Sequence, residues 1–396
     1  MSQKYTRYRK ILILFLILTL VVPALIACDD DDDEKETTQP IDSGNKEPIK
    51  IGWVGAWSGP YAIVGPLQER VISIVEDQVE EMGGILGGRM VEIITYDGSG
   101  EVSEAVAGVK KLVLEDDVLA FGYTGVSATQ GAAGMETAND LKRIAANQSS
   151  TPPSLVDYPY ILRMPPSYES QIEDHVNLIL NVLKPKTIGF LALNVAEGRQ
   201  VIRDIKGPVE DAGIDVVFEQ YVDSGTADLS SQVTRIRSEK PDVLLAKLDS
   251  PTDSTNLMKQ ATEQGGFGDT TVVHLSMGAQ YTWGLPISEG TYHWAWWYAG
   301  ADYPEAKKLY DEYHARYNLP PDATAAYSYQ QLWIVLNAIN QSGSDDPDKI
   351  AEYARSGDLE FDSIEGPFRV LPNGENTARG LYVRIENGKP VRVDIE

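Results

Sequence analysis

The fold is decided by Ile49–Pro60, "IKIGWVGAWSGP", and by the segment that follows it. A short apolar run that ends in Gly, Ser and Pro is typical of a buried strand that leads into a loop. Residues 67–82, "LQERVISIVEDQVEEM", then place Val71, Ile74 and Val75 on one face of a helix. A strand followed by an amphipathic helix is the first half of a βαβ unit, so these residues predict a parallel α/β sheet.

The alternation of strands and helices appears twice along the chain. The second series runs from "KTIGFLAL" (residues 186–193) to "TTVVHLSM" (residues 270–277). Two such series predict two doubly wound lobes, each with a mainly parallel sheet covered by helices on both faces. From about residue 304 the pattern predicts three helices, and then hairpins with Asn-Gly turns in "PNGE" (372–375) and "ENGK" (386–389).

The first 28 residues have the order of a secretory signal. Basic residues precede an apolar run from Ile11 to Ala27, and Cys28, the only cysteine, follows it. The tetrapeptide Leu25–Cys28 resembles a bacterial lipobox, in which the cysteine is lipidated and becomes the first mature residue. Residues 1–27 are therefore predicted to be a lipoprotein signal peptide. An uncleaved anchor beside a free or buried cysteine is the alternative, although a membrane span usually needs about 20 apolar residues.

Residues 28–48 are predicted to form a disordered acidic tether, because Asp29–Asp33 and the polar residues after them cannot bury apolar surface. The chain carries 34 Lys and Arg, four of them in the first 27 residues, against 59 Asp and Glu. Such acidity argues against nucleic-acid binding, which needs basic residues to displace counterions from phosphates. A single cysteine also excludes an internal disulfide and a cysteine-based metal cluster.

No catalytic or metal-binding set stands out in the sequence. The four histidines are scattered and include no HExxH pair. The stretch "GVSATQ" (125–130) lacks the second glycine of a nucleophile elbow, and "GGILGGR" (83–89) lacks the Gly-Lys-Ser/Thr ending of a phosphate loop. The sequence therefore predicts a protein that is not an enzyme and that uses no metal or cofactor.

Small and polar residues follow the predicted strands, where open parallel sheets bind their ligands. Helix N-termini at these points offer unpaired N–H groups and a partial positive charge to a carboxylate. A cleft between two such rims suits a small polar solute that is enclosed when the lobes close. The candidate ligand-binding residues at the strand ends are Trp57, Ser58, Tyr123, Ser127, Gln148, Ser149, Ser150, Glu197 and Asp249.

Several of these aromatic and polar residues have structural alternatives. Ser127 could cap the helix that it begins, and Asp249 could cap the helix after "SPTD". Trp57 could pack against its own lobe, although a Trp in a tight Ser-Gly-Pro turn is hard to bury. The aromatic stretch "WAWWY" (294–298) is interpreted as strand core or lobe interface rather than as a ligand box.

From about residue 49 onward, the chain resembles the periplasmic binding proteins of the leucine/isoleucine/valine-binding type. "IKIGWVGAWSGPYAIVG" is similar to the opening strand and turn of that family, and "EEMGGILGGRMVEIITYDGSG" looks like its most recognisable stretch. "GYTGVSATQGAAGMETAND", "NQSSTPPSLVDYPYILRMPPS" and "KPKTIGFLALNVAEGR" follow in the family's order. The resemblance implies a type I fold, in which two doubly wound parallel-sheet lobes are joined by three hinge strands.

The resemblance also implies where the lobes meet. The hinge strands are expected near Arg163–Pro166, Trp296–Gly300 and Gly357–Phe361. The expected N-lobe comprises residues 49–164 and 298–358, and the expected C-lobe comprises residues 165–297 and 359–396.

Roles in ligand binding are implied for the N-lobe and, less directly, for the C-lobe. Ser127 falls on the serine that holds the ligand carboxylate, and Gln148 and Ser150 fall on the next binding segment. Glu197 and Asp249 stand where the family commonly has aromatic residues.

The acid that is expected to hold an α-ammonium group is replaced here by Met277. Because a buried ammonium needs a charged partner, either Asp249 or Glu197 supplies that charge or the ligand is not an α-amino acid. Tyr281 is a further candidate on the C-lobe.

The resemblance implies a monomeric, lipid-anchored protein on the extracytoplasmic face of a bacterial membrane or in the periplasm. It would capture a small polar ligand, such as an amino acid or amide, and deliver it to an ABC permease. The alternative is a ligand-binding sensor that feeds a signalling partner. Neighbouring permease genes would favour transport, and a neighbouring kinase gene would favour sensing.

Overall fold

The computed structural model describes residues 47–126, 128–147 and 157–395, which belong to one compact unit. The predicted signal peptide, Cys28 and almost all of the predicted tether lie outside the described residues, as do Ser127 and residues 148–150. No described helix combines the length and the hydrophobicity that a membrane span requires.

The first sheet is parallel throughout its described strands. They are β1 (Ile49–Gly55), β2 (Val91–Asp97), β3 (Ala120–Tyr123), β4 (Ile144–Asn147) and β5 (Ile161–Arg163). The helices between them are α1 (Val64–Glu81), α2 (Val102–Leu114) and α3 (Ala128–Asp140). The spatial order β2-β1-β3-β4-β5 places β1 inside the sheet, where its nearly continuous apolar sequence is buried on both faces.

The second sheet has seven strands from two distant parts of the chain. Its parallel part contains β6 (Thr187–Leu193), β7 (Asp215–Val222), β8 (Val243–Lys247), β9 (Thr271–His274) and β10 (Tyr292–Ala295). Its other two strands come later and are β13 (Leu381–Glu386) and β14 (Lys389–Val393). Before them the chain forms a separate pair of strands, β11 (Glu360–Ser363) and β12 (Gly366–Arg369). The order is β14-β13-β10-β9-β8-β6-β7, so an antiparallel β13–β14 hairpin extends the parallel part.

Helices cover the second sheet as the alternating pattern predicts. They are α4 (Tyr168–Asn177), α5 (Ala196–Asp211), α6 (Ser230–Glu239) and α7 (Pro251–Glu263). The predicted "ENGK" turn is confirmed, because Glu386 pairs with Lys389 across Asn387 and Gly388, whose φ angles are 53° and 71°.

The chain then returns to the first sheet. Helices α8 (Pro304–Tyr317), α9 (Ala323–Ser342) and α10 (Pro347–Ala354) follow β10. Helix α9 packs against α1, β3 and β4, and its residues are buried around most of its circumference. Its N-terminus is capped by the Asp322 carboxylate, which accepts the Ala325 N–H at 2.8 Å. The first lobe is therefore completed by a helix made after the second lobe's parallel strands.

The third connection between the sheets differs from the expected position at Gly357–Phe361. Strands β11 and β12 pair only with each other, and β11 packs against α8 and α9, beside the first sheet. The chain reaches the second sheet only at β13, so it passes between the sheets at residues 370–380. The "PNGE" signal lies within this passage, where Val370 and Asn376 form an isolated bridge instead of a longer hairpin. The lobe boundaries themselves stay predictions.

Candidate ligand site

A carboxylate that the sequence did not single out organises the loop after β1. Asp97 Oδ1, at the end of β2, accepts the N–H groups of Trp57 at 3.0 Å, Ser58 at 3.4 Å and Ser99 at 3.0 Å. Desolvation opposes the charge of this group, but the hydrogen bonds outweigh it and lower the pKa of Asp97. Gly59, at φ 72°, lies so close to the Ser99 carbonyl that a Cβ would stand 2.2 Å from it. The two loops are therefore held as one rim.

The Trp57 ring is docked on its own lobe. Its Nε1 donates to Glu69 Oε1 at 2.7 Å, and its ring lies directly over Gly55 and Gly65. A Cβ on either glycine would stand 2.7 Å or less from a neighbouring atom. The packing alternative for Trp57 is thus realised in part, and ligand contact by this ring stays a prediction.

Tyr123 is part of the first-lobe core. It is 4 % exposed and stacks on Trp53 at 4.9 Å between ring centroids. Burial raises the pKa of its hydroxyl, which lies beside the side chain of Gln68. The structure therefore gives Tyr123 a packing role at the end of β3.

Gln130 is the second residue that the sequence did not single out. It is fully buried, and its Nε2 donates to the carbonyls of Gly98 at 2.9 Å and Glu101 at 3.0 Å. Its Oε1 accepts the N–H of Val126 at 2.8 Å. One side chain thus joins the loops after β2 and β3 and holds the backbone directly before position 127. Gln130 ends the "GVSATQ" stretch, in which the sequence predicts a role only for Ser127.

The second lobe presents a charged cluster at the carboxyl edge of its sheet. Lys247, the last residue of β8, has its ammonium 2.5 Å from Asp249 and 3.4 Å from Glu197, which lies in the first turn of α5. The Lys247 side chain is 7 % exposed, whereas those of Glu197 and Asp249 are 40 % and 35 % exposed. Burial disfavours the ammonium, but the two carboxylates outweigh burial and raise the pKa of Lys247.

The capping alternative for Asp249 is wrong. The N-cap of α7 is Ser250, whose Oγ accepts the Asp253 N–H at 3.0 Å. The Asp249 carbonyl instead lies against Gly278, where a Cβ would be 2.3 Å away. The loops after β8 and β9 are therefore in direct contact, which brings Asp249 close in space to the backbone at Met277. The side chain of Met277 lies outside the described residues.

Tyr281 marks where the second-lobe edge approaches the first lobe. It lies in a short 3₁₀ segment after β9, with its ring partly exposed. Its hydroxyl is near Thr324 and the Asp322 carboxylate, at the N-terminus of α9. Partial desolvation, and then Asp322, raise the pKa of Tyr281. The contact places Tyr281 across the interface between the lobes, and its contact with a ligand stays a prediction.

The hinge side of this interface is aromatic and contains one buried acid. Trp296 and Trp297 are buried, and the Tyr327 hydroxyl of α9 lies near their backbone N–H groups. Both carboxylate oxygens of Glu365, in the β11–β12 turn, are buried with no hydrogen-bond partner among the described residues. Burial raises the pKa of Glu365 to about 8. The "WAWWY" stretch thus packs at the lobe interface, in line with its interpretation.

The described residues contain no group of three or more His, Cys, Asp or Glu side chains that could hold a metal ion. Their chemistry at the sheet edges is hydrogen bonding and charge. At the described edge of the first lobe the Asp97 carboxylate holds the loop that contains Ser58, and the second lobe offers two carboxylates for one ammonium. Such an arrangement can bind a polar solute.

Comparison with known proteins agrees with this fold. Residues 48–389 match the periplasmic binding protein family, and the chain belongs to that family. The Leu/Ile/Val-binding protein of Escherichia coli K12 is 25 % identical over 338 residues, which cover 83 % of this chain and 88 % of the relative. This confirms the predicted resemblance to the leucine/isoleucine/valine-binding type.

Solved structures share the fold at lower identity. The leucine binding protein LivK of Thermotoga maritima superposes with a TM-score of 0.74 at 22 % identity, covering 87 % of this chain and 98 % of that chain. A solute-binding protein of Rhodopseudomonas palustris in complex with benzoate superposes with a TM-score of 0.72 at 17 % identity, covering 87 % and 95 %. The predicted α/β type I fold is therefore confirmed. The chain is a binding protein and not an enzyme, as its family membership establishes.

Proposed function

We propose that the chain is the solute-binding component of an ABC transporter for an amino acid or a related small ligand. It encloses its ligand between the lobes and delivers it to a membrane permease. The observation that carries this proposal is the cluster of Glu197, Lys247 and Asp249 at the carboxyl edge of the second sheet. The names of its relatives, which include binding proteins for leucine, isoleucine and valine, support the same class of ligand.

The charge of the cluster favours a ligand with a positively charged group. Two carboxylates surround one ammonium, which leaves one negative charge uncompensated. Both carboxylates are more than one third exposed, so they remain accessible to a solute that enters the cleft. The uncompensated carboxylate charge there would take the place of the acid that is absent at Met277 and would pair with an α-ammonium group. A ligand carboxylate would then lie near Ser127, at the N-terminus of α3.

A thermal-shift assay of the full chain tests the ligand class, because a ligand that binds only the folded state raises its melting temperature. The probes are L-leucine, L-isoleucine and L-valine, with 4-methylpentanoate and benzoate as carboxylates that lack the amine. We expect a shift with at least one amino acid and none with the amine-free acids. Equal shifts with the amine-free acids would contradict the assignment of the acidic cluster to an ammonium.

Asp249→Asn separates the cluster from general charge effects. This variant is expected to reduce the thermal shift. Once Asp249 is neutral, the Lys247 ammonium balances the Glu197 carboxylate, and no negative charge remains for the ligand ammonium. Asp215→Asn, at the exposed start of β7, removes the same charge away from the cluster and is expected to preserve the shift. An unchanged shift in Asp249→Asn would remove this residue from the site.

The predicted anchor belongs to the same proposal. Lipid on Cys28 and an acidic tether to residue 48 would keep a monomeric binding protein near the permease on the extracytoplasmic side. Cys28→Ser is expected to move the protein from the membrane fraction to the soluble fraction of its bacterial host. Retention of the Cys28→Ser protein in membranes would favour the uncleaved anchor instead.

A further inference from the structure

One side chain connects two of the passages between the sheets. Asn376 lies in the third passage, residues 370–380, and is 5 % exposed. Its Nδ2 lies within hydrogen-bond distance of three consecutive carbonyls of the first passage: Arg163 at 2.8 Å, Met164 at 3.2 Å and Pro165 at 2.8 Å. The first of these carbonyls belongs to the last residue of β5 and the other two directly follow it, where the chain leaves the first sheet.

The same side chain also shapes its own passage. Asn376 Oδ1 accepts the N–H of Ala378 at 2.8 Å, so both ends of the amide are used. An amide is the side chain that supplies two donors and an acceptor at one point. The acceptor orients the amide within the third passage, and the donors then reach the first.

A neighbouring ion pair connects the same two segments. Arg163 Nε lies 2.9 Å from Glu375 Oε2, and the two side chains are only 2 % and 14 % exposed. Residues 375 and 376 therefore hold the first passage through its backbone and through its one charged side chain. Two contacts at the same place therefore join the two passages.

We propose that Asn376 is a positioning residue for lobe closure, which joins the first and third passages into one pivot. The inference rests on the hinge closure of the proposed function. In type I binding proteins every passage between the lobes must bend when the lobes rotate. Two passages held together bend about a common axis, which restricts the directions in which the lobes can separate. Loss of the amide would release that restriction while leaving both lobes intact.

The test measures the distance between the lobes without any ligand. Cys28 is the only cysteine, so Cys28→Ser in the full chain allows two spin labels to be placed at will. Lys110→Cys on α2 and Ser238→Cys on α6 are exposed positions on different lobes. Double electron–electron resonance then gives the distribution of inter-lobe distances for the parent and for each hinge variant.

Asn376→Ala and Asn376→Asp are the hinge variants, and Asp346→Ala is the matched control. Asn376→Asp keeps the acceptor for Ala378 but loses the donors and sets a carboxylate against three carbonyls. Asp346 caps α10 by accepting two N–H groups, so its loss also removes side-chain to backbone hydrogen bonds, but within the first lobe alone. We expect both Asn376 variants to broaden the distance distribution and add longer distances, and the control to lower the melting temperature with an unchanged distribution.

An unchanged distribution in a folded Asn376 variant would overturn the proposal. If Asn376→Ala does not fold, Asn376→Asp and Glu375→Gln give the same readout. Since no ligand is used, failure of the proposed function would show separately, as the lack of a thermal shift with amino acids. If an Asn376 variant still binds leucine and its distribution of inter-lobe distances is unaltered, only the proposed role of Asn376 is contradicted.

Discussion

The Lys247 ammonium lies 2.5 Å from an Asp249 carboxylate oxygen and 3.4 Å from one of Glu197, yet the lysine is buried and the acids are not. This difference in burial determines which side chain can be replaced at the smaller cost in stability. Acids that lose the lysine can still be solvated, whereas a buried ammonium that loses its acids has no substitute for them.

The first prediction follows from this difference. Lys247→Met should cost roughly 1 kcal/mol of unfolding free energy, because the two acids are exposed enough to be hydrated. The double variant Glu197→Gln/Asp249→Asn should cost about 3–5 kcal/mol, because it leaves the ammonium buried and unpaired. Urea denaturation of the full chain measures both. The reverse order of the two costs would contradict the burial argument.

The second prediction concerns Ser127, the residue that precedes α3 in the sequence. If its hydroxyl holds the ligand carboxylate, Ser127→Ala should weaken binding by about 1–3 kcal/mol through loss of a hydrogen bond to a charged group. Isothermal titration calorimetry with the amino acid that gives the largest thermal shift measures the effect. Ser231→Ala, at an exposed position of α6, is the control that should bind like the parent. Unchanged affinity in Ser127→Ala would remove the residue from the site.

The third prediction concerns Glu365 and pH. Burial raises the pKa of Glu365 from 4.5 to about 8 in the folded state. Below pH 4.5 the group is neutral in both states, and its contribution is favourable. As pH rises toward 8, only the unfolded state ionises freely, so stability falls by roughly 4 kcal/mol in total.

Glu365→Gln removes this pH dependence. The variant should gain stability over the parent at pH 8 and gain little at pH 4.5, as measured by melting temperature at both values. Asp362→Asn, an exposed acid on the same hairpin, serves as the control and should change neither value appreciably. A gain that is equal at both pH values would show that Glu365 is charged in the folded protein.

The fourth prediction concerns the first-lobe rim. Asp97→Ala removes the acceptor of three backbone N–H groups and should cost about 1–2 kcal/mol of stability. Amide hydrogen exchange at Trp57 and Ser58 should accelerate more than exchange in β1. Exchange at these two amides that matches the parent would show that Asp97 does not hold the loop.

The sequence predicted what depends on local pattern. The strand of "IKIGWVG" and the helix after it appear as β1 and α1, because their apolar spacing directly reflects one buried strand and one buried helix face. The "ENGK" turn is likewise local, since Asn and Gly accept the positive φ angles that the hairpin needs.

The sequence did not predict the features that depend on contacts between segments distant along the chain. In the sequence, Lys247 is an ordinary residue at the end of a predicted strand. It pairs with Glu197 because β6, which leads into α5, lies beside β8 in the sheet. His274 and His293 look scattered, yet they are register partners on β9 and β10 and their rings stack at 4.6 Å. The third passage was misplaced for the same reason, because the partner of the β11–β12 hairpin is a helix surface that no local pattern reveals.

The order in which the lobes are completed has a consequence for synthesis. The core of the first lobe needs α9, and the second sheet needs β13 and β14, which are among the last elements of the chain. Neither lobe can finish folding until nearly the whole polypeptide has left the ribosome. Pairing segments that are so distant in sequence is slow. For a chain with the predicted secretory signal, this delay would keep the nascent polypeptide extended long enough to thread through a translocation channel before it folds.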